Sequence, residues 1–289
     1  MELSSLGRSN LLISPVSLGC MSLPVDQHNC DQIIHSAIDH GVNFIDTADL
    51  YEQGQNEIRV GNALAGRRDR VILASKVGNR WRKDGSGWDW VPSKHYIIGA
   101  IDDSLQRLKT DYLDLYQLHG GTLEDPIDEI IEAFERLKES GKIRAYGISS
   151  IRPNVIREYV SRSQIDSVMM QYSLLDRRPE ESCLGLLQSS GIGVLARGVT
   201  AKGMLIDKPA KPYLGHTEAT IENLQSALQA SGHGLDYSLG FTLNHPAVTS
   251  AVVGIRTLEQ LQALVLAKPT YPTEEICDLA MPRYYELHR

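Results

Sequence analysis

AIDHGVNFIDTADLYEQGQNE, residues 37–57, reads as the end of a helix, a glycine, a short apolar strand, a carboxylate at the strand's end and the start of another helix. Glycine just past a helix lets the chain turn through the left-handed region into the next strand. The same helix, glycine, strand junction recurs at Ser140–Gly141 and Ser190–Gly191. Working outward, β-branched and aliphatic runs stand at Val16–Cys20, Val42–Asp46, Val71–Lys76, Leu113–Leu118, Arg144–Ser149, Ser167–Gln171, Gly193–Ala196 and Ser250–Val253. They are apolar nearly throughout rather than alternating, the mark of strands buried on both faces.

Helical patterns fill the gaps: Cys30–His40, Asn56–Ala65, Ser93–Leu108, Ile127–Ser140, Pro153–Ser161, Glu181–Ser189, Ile221–Thr242 with a break at Ser231–Gly234, Thr257–Ala267 and Thr273–His288. Eight strands, each followed by a helix, predict an α/β fold, a single (β/α)8 TIM barrel inside a helical ring. An open doubly wound sheet is the structural alternative, and no GxGxxG follows the first strand. Met1–Ser14, with Gly7, Arg8, Ser9 and Asn10 between two short apolar runs, predicts an N-terminal β-hairpin that could plug one barrel mouth. The last pattern adds an extra C-terminal helix. No internal boundary breaks the series, so residues 1–289 read as one domain.

Composition narrows the function classes. The chain is 42% apolar and 22% charged, as ordinary folded proteins are, which excludes fibrous and disordered classes. No run approaches the roughly 18 apolar residues of a membrane helix, and the N-terminus lacks a secretion signal, so a cytoplasmic location is expected. A net charge of −7 argues against nucleic acid and anionic membrane as partners. Cys20, Cys30, Cys183 and Cys277 are scattered, without metal-ligand spacing, and read as reduced thiols.

The active site of such a barrel lies at the C-terminal ends of its strands. There the sequence places Asp46 with Tyr51 shortly after, Lys76 and His119. A phenol beside an ammonium should have its pKa lowered and serve as a general acid. Asp46 would keep Lys76 charged and oriented, and His119 would donate a hydrogen bond to a carbonyl oxygen. Trp81, Trp88 and Trp90 all lie between the third strand and its helix, as candidates for an apolar substrate wall or as anchors of their loop. A metal-dependent hydrolase built on Asp46 and His119 would need further ligands, where the other strand ends offer Ser149, Gln171 and Ala196.

Four segments, AIDHGVNFIDTADLYEQGQNE, VILASKVG, SLQRLKTDYLDLYQLH and LKESGKIRAYGISS, resemble the aldo-keto reductases in content and order, and the likeness runs over nearly the whole chain. The resemblance implies a barrel that binds NADP(H) and reduces aldehydes or ketones, so the partner expected is a small carbonyl compound. It puts the family's proton donor on Tyr51, its lysine on Lys76, its aspartate on Asp46 and its carbonyl-orienting histidine on His119. For the cofactor it implies Ser149 and Gln171 at the nicotinamide carboxamide, with Ser150 where an asparagine is usual. Arg197 stands in place of the aromatic that stacks under nicotinamide. Lys202, Gly203 and Leu205 match the pyrophosphate loop, and Gly254, Arg256 and Gln260 match the adenosine-phosphate end. Leu264 stands where an asparagine usually meets adenine. The alternative within the resemblance is an NADP(H)-binding regulatory subunit that senses redox state with little turnover. Neither the physiological substrate nor the oligomeric state can be read from these residues.

Overall fold

The structure, a computed structural model, describes residues 2–280. A hairpin of β1 (Ser4–Ser5) and β2 (Leu12–Ile13) comes first. The barrel follows with β3 (Val16–Gly19), β4 (Phe44–Asp46) and β5 (Ile72–Val77). An antiparallel pair, β6 (Asn79–Trp81) and β7 (Trp88–Trp90), stands outside the barrel. The barrel resumes with β8 (Leu113–Leu118), β9 (Ile143–Ser149), β10 (Ser167–Gln171), β11 (Gly193–Arg197) and β12 (Val248–Gly254). Its eight strands are all parallel, and β12 pairs with β3 to close the ring.

Helices α1 (Gln27–Asp39), α2 (Gln55–Ala63), α3 (Lys94–Leu108), α4 (Ile127–Glu139), α5 (Pro153–Arg162) and α6 (Cys183–Ser189) return the chain to the next strand. After β11 the pattern doubles into α7 (Glu218–Ser231) and α8 (Gly234–Leu243), broken at Gly232 as the sequence predicts. Then come α9 (Leu258–Leu266) and α10 (Glu274–Leu279), while the rest of the helix expected to His288 lies outside the described residues. Several helices begin on a side-chain cap: Asp26 accepts from the Asn29 amide, which starts α1 three residues ahead of the expected Cys30, and Ser93 and Thr257 do the same for α3 and α9. The glycines after α1, α4 and α6 take φ values of 88°, 77° and 65°, the left-handed turn their positions require.

Two apolar layers hold the fold. The larger fills the space between barrel and helices. The smaller fills the lumen, where Phe44, Ala74, Leu115, Ala145, Met169, Leu195 and Val252 meet Leu6, Leu11 and Ile13 of the N-terminal hairpin. The hairpin therefore stoppers one end of the barrel.

Candidate active site

Side chains alternate along a strand, so a residue two positions beyond an inward one also points inward. Two beyond the lumen residues Phe44, Ala74, Leu115, Met169, Leu195 and Val252 stand Asp46, Lys76, Gln117, Gln171, Arg197 and Gly254. The pleat that fills the lower lumen with hydrocarbon thus delivers polar groups at its upper end. Ser149 keeps the same parity in β9. His119 follows β8 and stays in its ladder, with its amide donating to the Val77 carbonyl at 2.7 Å.

Lys76, 1% exposed, lies at the centre. Its Nζ donates to Asp46 Oδ2 at 2.6 Å, to the Thr47 carbonyl at 2.8 Å and to the Tyr51 hydroxyl at 3.4 Å. Burial works against the ammonium, but Asp46 and Tyr51 outweigh it and carry Lys76 above its ordinary range. For Tyr51 the balance runs the other way from the sequence expectation: burial raises the phenol, and Lys76 opposes this without reversing it. Tyr51 consequently stays protonated at neutral pH. Its ring meets that of His119 edge to face, with centroids 5.8 Å apart. Burial, reinforced by Lys76 and Arg197, pushes His119 down to about 3, so its imidazole is neutral. Four of the buried polar atoms left without partners among the described residues belong to this layer: Asp46 Oδ1, His119 Nδ1 and both Oε1 and Nε2 of Gln117.

The turn from Ala48 to Gly54 brings Tyr51 over the strand ends. Leu50 is held by the Trp81 indole, whose Nε1 donates to its carbonyl at 3.0 Å. Beyond Tyr51, Glu52 and Gln53 take left-handed conformations, and Arg59 Nη2 reaches both oxygens of Glu52 at 2.6 and 2.7 Å. No sequence signal announces a left-handed pair made of these residue types.

The residues matched to cofactor binding fall on the same rim. Gln171 and Arg197 are register partners, and Arg197 Nη1 donates to Gln171 Oε1 at 3.3 Å. Gln171 Nε2 donates to the hydroxyl of Tyr213, a residue the sequence analysis did not single out. Tyr213 and His216 form a short backbone bridge. Ser149 ends β9, and the buried Ser150 Oγ accepts from the Arg152 amide. Ala201, Lys202 and Gly203 all have positive φ, at 47°, 61° and 93°. Leu205 is 1% exposed and packs into the core. Past β12, Gln260 Oε1 accepts from the Arg256 amide at 2.9 Å, at the start of α9, and the Arg256 side chain forms no ion pair among the described residues. Leu264, standing where an asparagine usually meets adenine in the family, is 3% exposed and packs in the core with Leu261.

The tryptophans separate. Their segment is a β-hairpin rather than a loop, with Trp81 opposite Trp88 and Arg82 paired to Asp89 at its solvated edge. Trp90 is a buttress: its Nε1 donates to Asp125 at 2.9 Å, and a Cβ on Gly78 or Gly120 would meet its ring at 2.5 or 3.3 Å. Trp81 lines a cavity of about 180 Å3 with Asp49, Asn79, Tyr96 and Arg107. Trp88 is exposed, at 48%.

The model of the Aldo/keto reductase family matches residues 15–279. The chain is 50% identical over 279 residues to an uncharacterized oxidoreductase, YqkF, of Bacillus subtilis (strain 168), covering 92% of this chain and 91% of that one. It is 31% identical over 229 residues to the NADH-specific methylglyoxal reductase of Escherichia coli (strain K12), covering 72% and 70%. Among solved structures it is similar to the holo form of aldo-keto reductase AKR11C1 from Bacillus halodurans, with 48% identity, a TM-score of 0.95 and coverage of 100% and 99%.

Proposed function

We propose, from the premise that this chain belongs to the aldo/keto reductase family, that it reduces aldehydes or ketones to alcohols with NADPH as hydride donor and Tyr51 as proton donor. That it is an oxidoreductase acting on carbonyl compounds follows from the family itself. The observation that carries the finer reading is the buried line from Asp46 through Lys76 to the Tyr51 hydroxyl, with the unpartnered His119 Nδ1 beside it.

The rim fits a nicotinamide dinucleotide. It offers polar strand ends at Ser149 and Gln171, close backbone approach at Gly203 and Gly254, and an exposed Arg256 at a helix N-terminus, suited to a phosphate dianion. Ser150, Arg197, Lys202, Leu205 and Gln260 complete the proposed cofactor set, Leu205 through its place in the loop rather than its side chain. Bound there, NADPH supplies a hydride to the carbonyl carbon. Tyr51 gives its proton to the oxygen as negative charge develops, and Lys76 stabilises the phenolate left behind. His119, being neutral, donates a hydrogen bond to the carbonyl oxygen without supplying the proton, and Asp46 keeps Lys76 charged in its buried place. The positive charge of Arg197 disfavours an oxidised, cationic nicotinamide beside it. Trp88 forms a wall of the open mouth. Four unpaired cysteines, three of them buried, accord with work in the cytosol.

Consumption of NADPH with a panel of aldehydes tests the proposal, with Tyr51→Phe as control. Turnover that survives Tyr51→Phe removes the proton donor. Tight NADPH binding without turnover on any aldehyde would instead support the sensor reading.

A further inference from the structure

Tyr51 belongs to no strand, so the barrel alone does not place its hydroxyl. Its position depends on a turn whose next three residues, Glu52, Gln53 and Gly54, have φ of 50°, 56° and 84°. For glutamate and glutamine this conformation is strained, and it persists only where the surroundings over-determine it. The surroundings do so on both sides of Tyr51. Before it, the Trp81 indole N–H holds the Leu50 carbonyl at 3.0 Å. After it, the buried Arg59 guanidinium holds both carboxylate oxygens of Glu52 at 2.6 and 2.7 Å. Underneath, Gly54 lies so close to Arg107 that a Cβ there would stand 2.8 Å from its side chain, and Arg107 is tied to the fully buried Glu57 at 2.6 Å.

Trp81 belongs to β6 and Arg59 to α2, so the turn is tied both to an element far along the chain and to the helix it leads into. We infer that Trp81 and Arg59 are positioning residues for Tyr51, fixing the backbone on either side so that its hydroxyl stays beside Lys76 and His119. The inference rests on Tyr51 as proton donor, and it gives Trp81 a role other than substrate wall. A wall needs the indole ring, whereas a pin needs the N–H. The ion pair of Glu52 and Arg59 likewise serves geometry here, because the arginine's charge is spent on a backbone-strained partner and not on the reacting atoms.

Trp81→Phe keeps an aromatic ring but removes the N–H donor together with the pyrrole half of the indole, and its fold is checked by thermal denaturation. We expect kcat to fall roughly ten- to hundredfold, the loss a displacement near 1 Å produces. The Kd for NADPH by calorimetry and the KM for aldehyde should change less than about threefold, because neither requires a placed Tyr51. In a Tyr51→Phe background the same substitution should cost kcat nothing further, as expected of residues acting through one another. Arg59→Lys should recover most of the rate lost in Arg59→Met. A crystal structure of Trp81→Phe should show the Tyr51 hydroxyl withdrawn from Lys76 Nζ, where it now lies at 3.4 Å. An effect confined to KM, or one that multiplies undiminished in the Tyr51→Phe background, overturns the inference. If Tyr51→Phe alone keeps the wild-type rate, the donor assignment fails instead, and the Trp81→Phe crystal structure still decides whether the pins hold the turn.

Discussion

Removing the ammonium beside Tyr51 is the most direct test of the proton-transfer geometry. Lys76→Met alone would strand the Asp46 carboxylate, which is 3% exposed, and removal of one partner from such a pair costs about 3–5 kcal/mol of stability. The informative variant is therefore Lys76→Met with Asp46→Asn, which takes both charges away. Two unit charges at the observed 3.4 Å and an effective dielectric near 20 attract by about 5 kcal/mol. With the proton half transferred, the phenol carries about half a charge, and Lys76 contributes about 2.5 kcal/mol to the transition state, or roughly sixtyfold in rate. Asp46 repels the same charge more weakly. The net loss in kcat should lie between roughly ten- and sixtyfold. Steady-state consumption of NADPH with a reactive aromatic aldehyde reads this, and calorimetry checks that the cofactor still binds. A double variant within about threefold of wild type would refute the role given to Lys76.

Four other outcomes are expected. Arg256→Ala should raise the KM for NADPH roughly ten- to hundredfold and leave that for NADH nearly unchanged, as loss of charge-assisted bonds to a 2′-phosphate requires; equal effects on both would remove Arg256 from that role. Arg197→Tyr should tighten NADP+ relative to NADPH in paired dissociation measurements, and an unchanged ratio would sink the charge argument. His119 takes up its proton near 3 when folded against 6.5 ordinarily, so the unfolded chain protonates first as pH falls. Stability should then decline from about pH 6.5 toward pH 3 by up to about 1.4 kcal/mol per unit, a slope that His119→Asn removes in urea titrations. Gly147→Ala would put a Cβ 2.4 Å from the Ser167 carbonyl, between β9 and β10, and should lower the melting temperature through about 1–3 kcal/mol of overpacking strain.

The barrel was legible because its strands announce themselves by near-continuous apolar runs, three of them also by the glycine that precedes them. Position along a strand is a matter of parity, which is why Asp46 and Lys76 could be placed at the rim from sequence alone. What sequence could not show were arrangements with no local periodicity. Tyr213 reaches Gln171 across 42 residues of chain. The left-handed Glu52 and Gln53 are sustained by Arg59 from outside the turn, and the rise of the Tyr51 pKa depends on burial that residue types do not reveal. The burial of Leu264, by contrast, was legible, because it follows Leu261 at the spacing of a core-facing helical stripe.

The stopper at the base of the barrel imposes an order on biosynthesis. Gly7 fits so tightly that a Cβ there would stand 2.2 Å from the Asp166 carbonyl and 2.7 Å from the Gly193 amide. The seam beside it is sealed when the Ala251 amide donates to the Pro15 carbonyl at 2.9 Å. The hairpin thus precedes in the chain the last strand of the ring that seats it, β12. At about 5–20 residues per second the wait for β12 is on the order of 10–50 s. Throughout it Leu6, Leu11 and Ile13 have no lumen to enter, so the nascent chain carries an exposed apolar tip until the ring is complete.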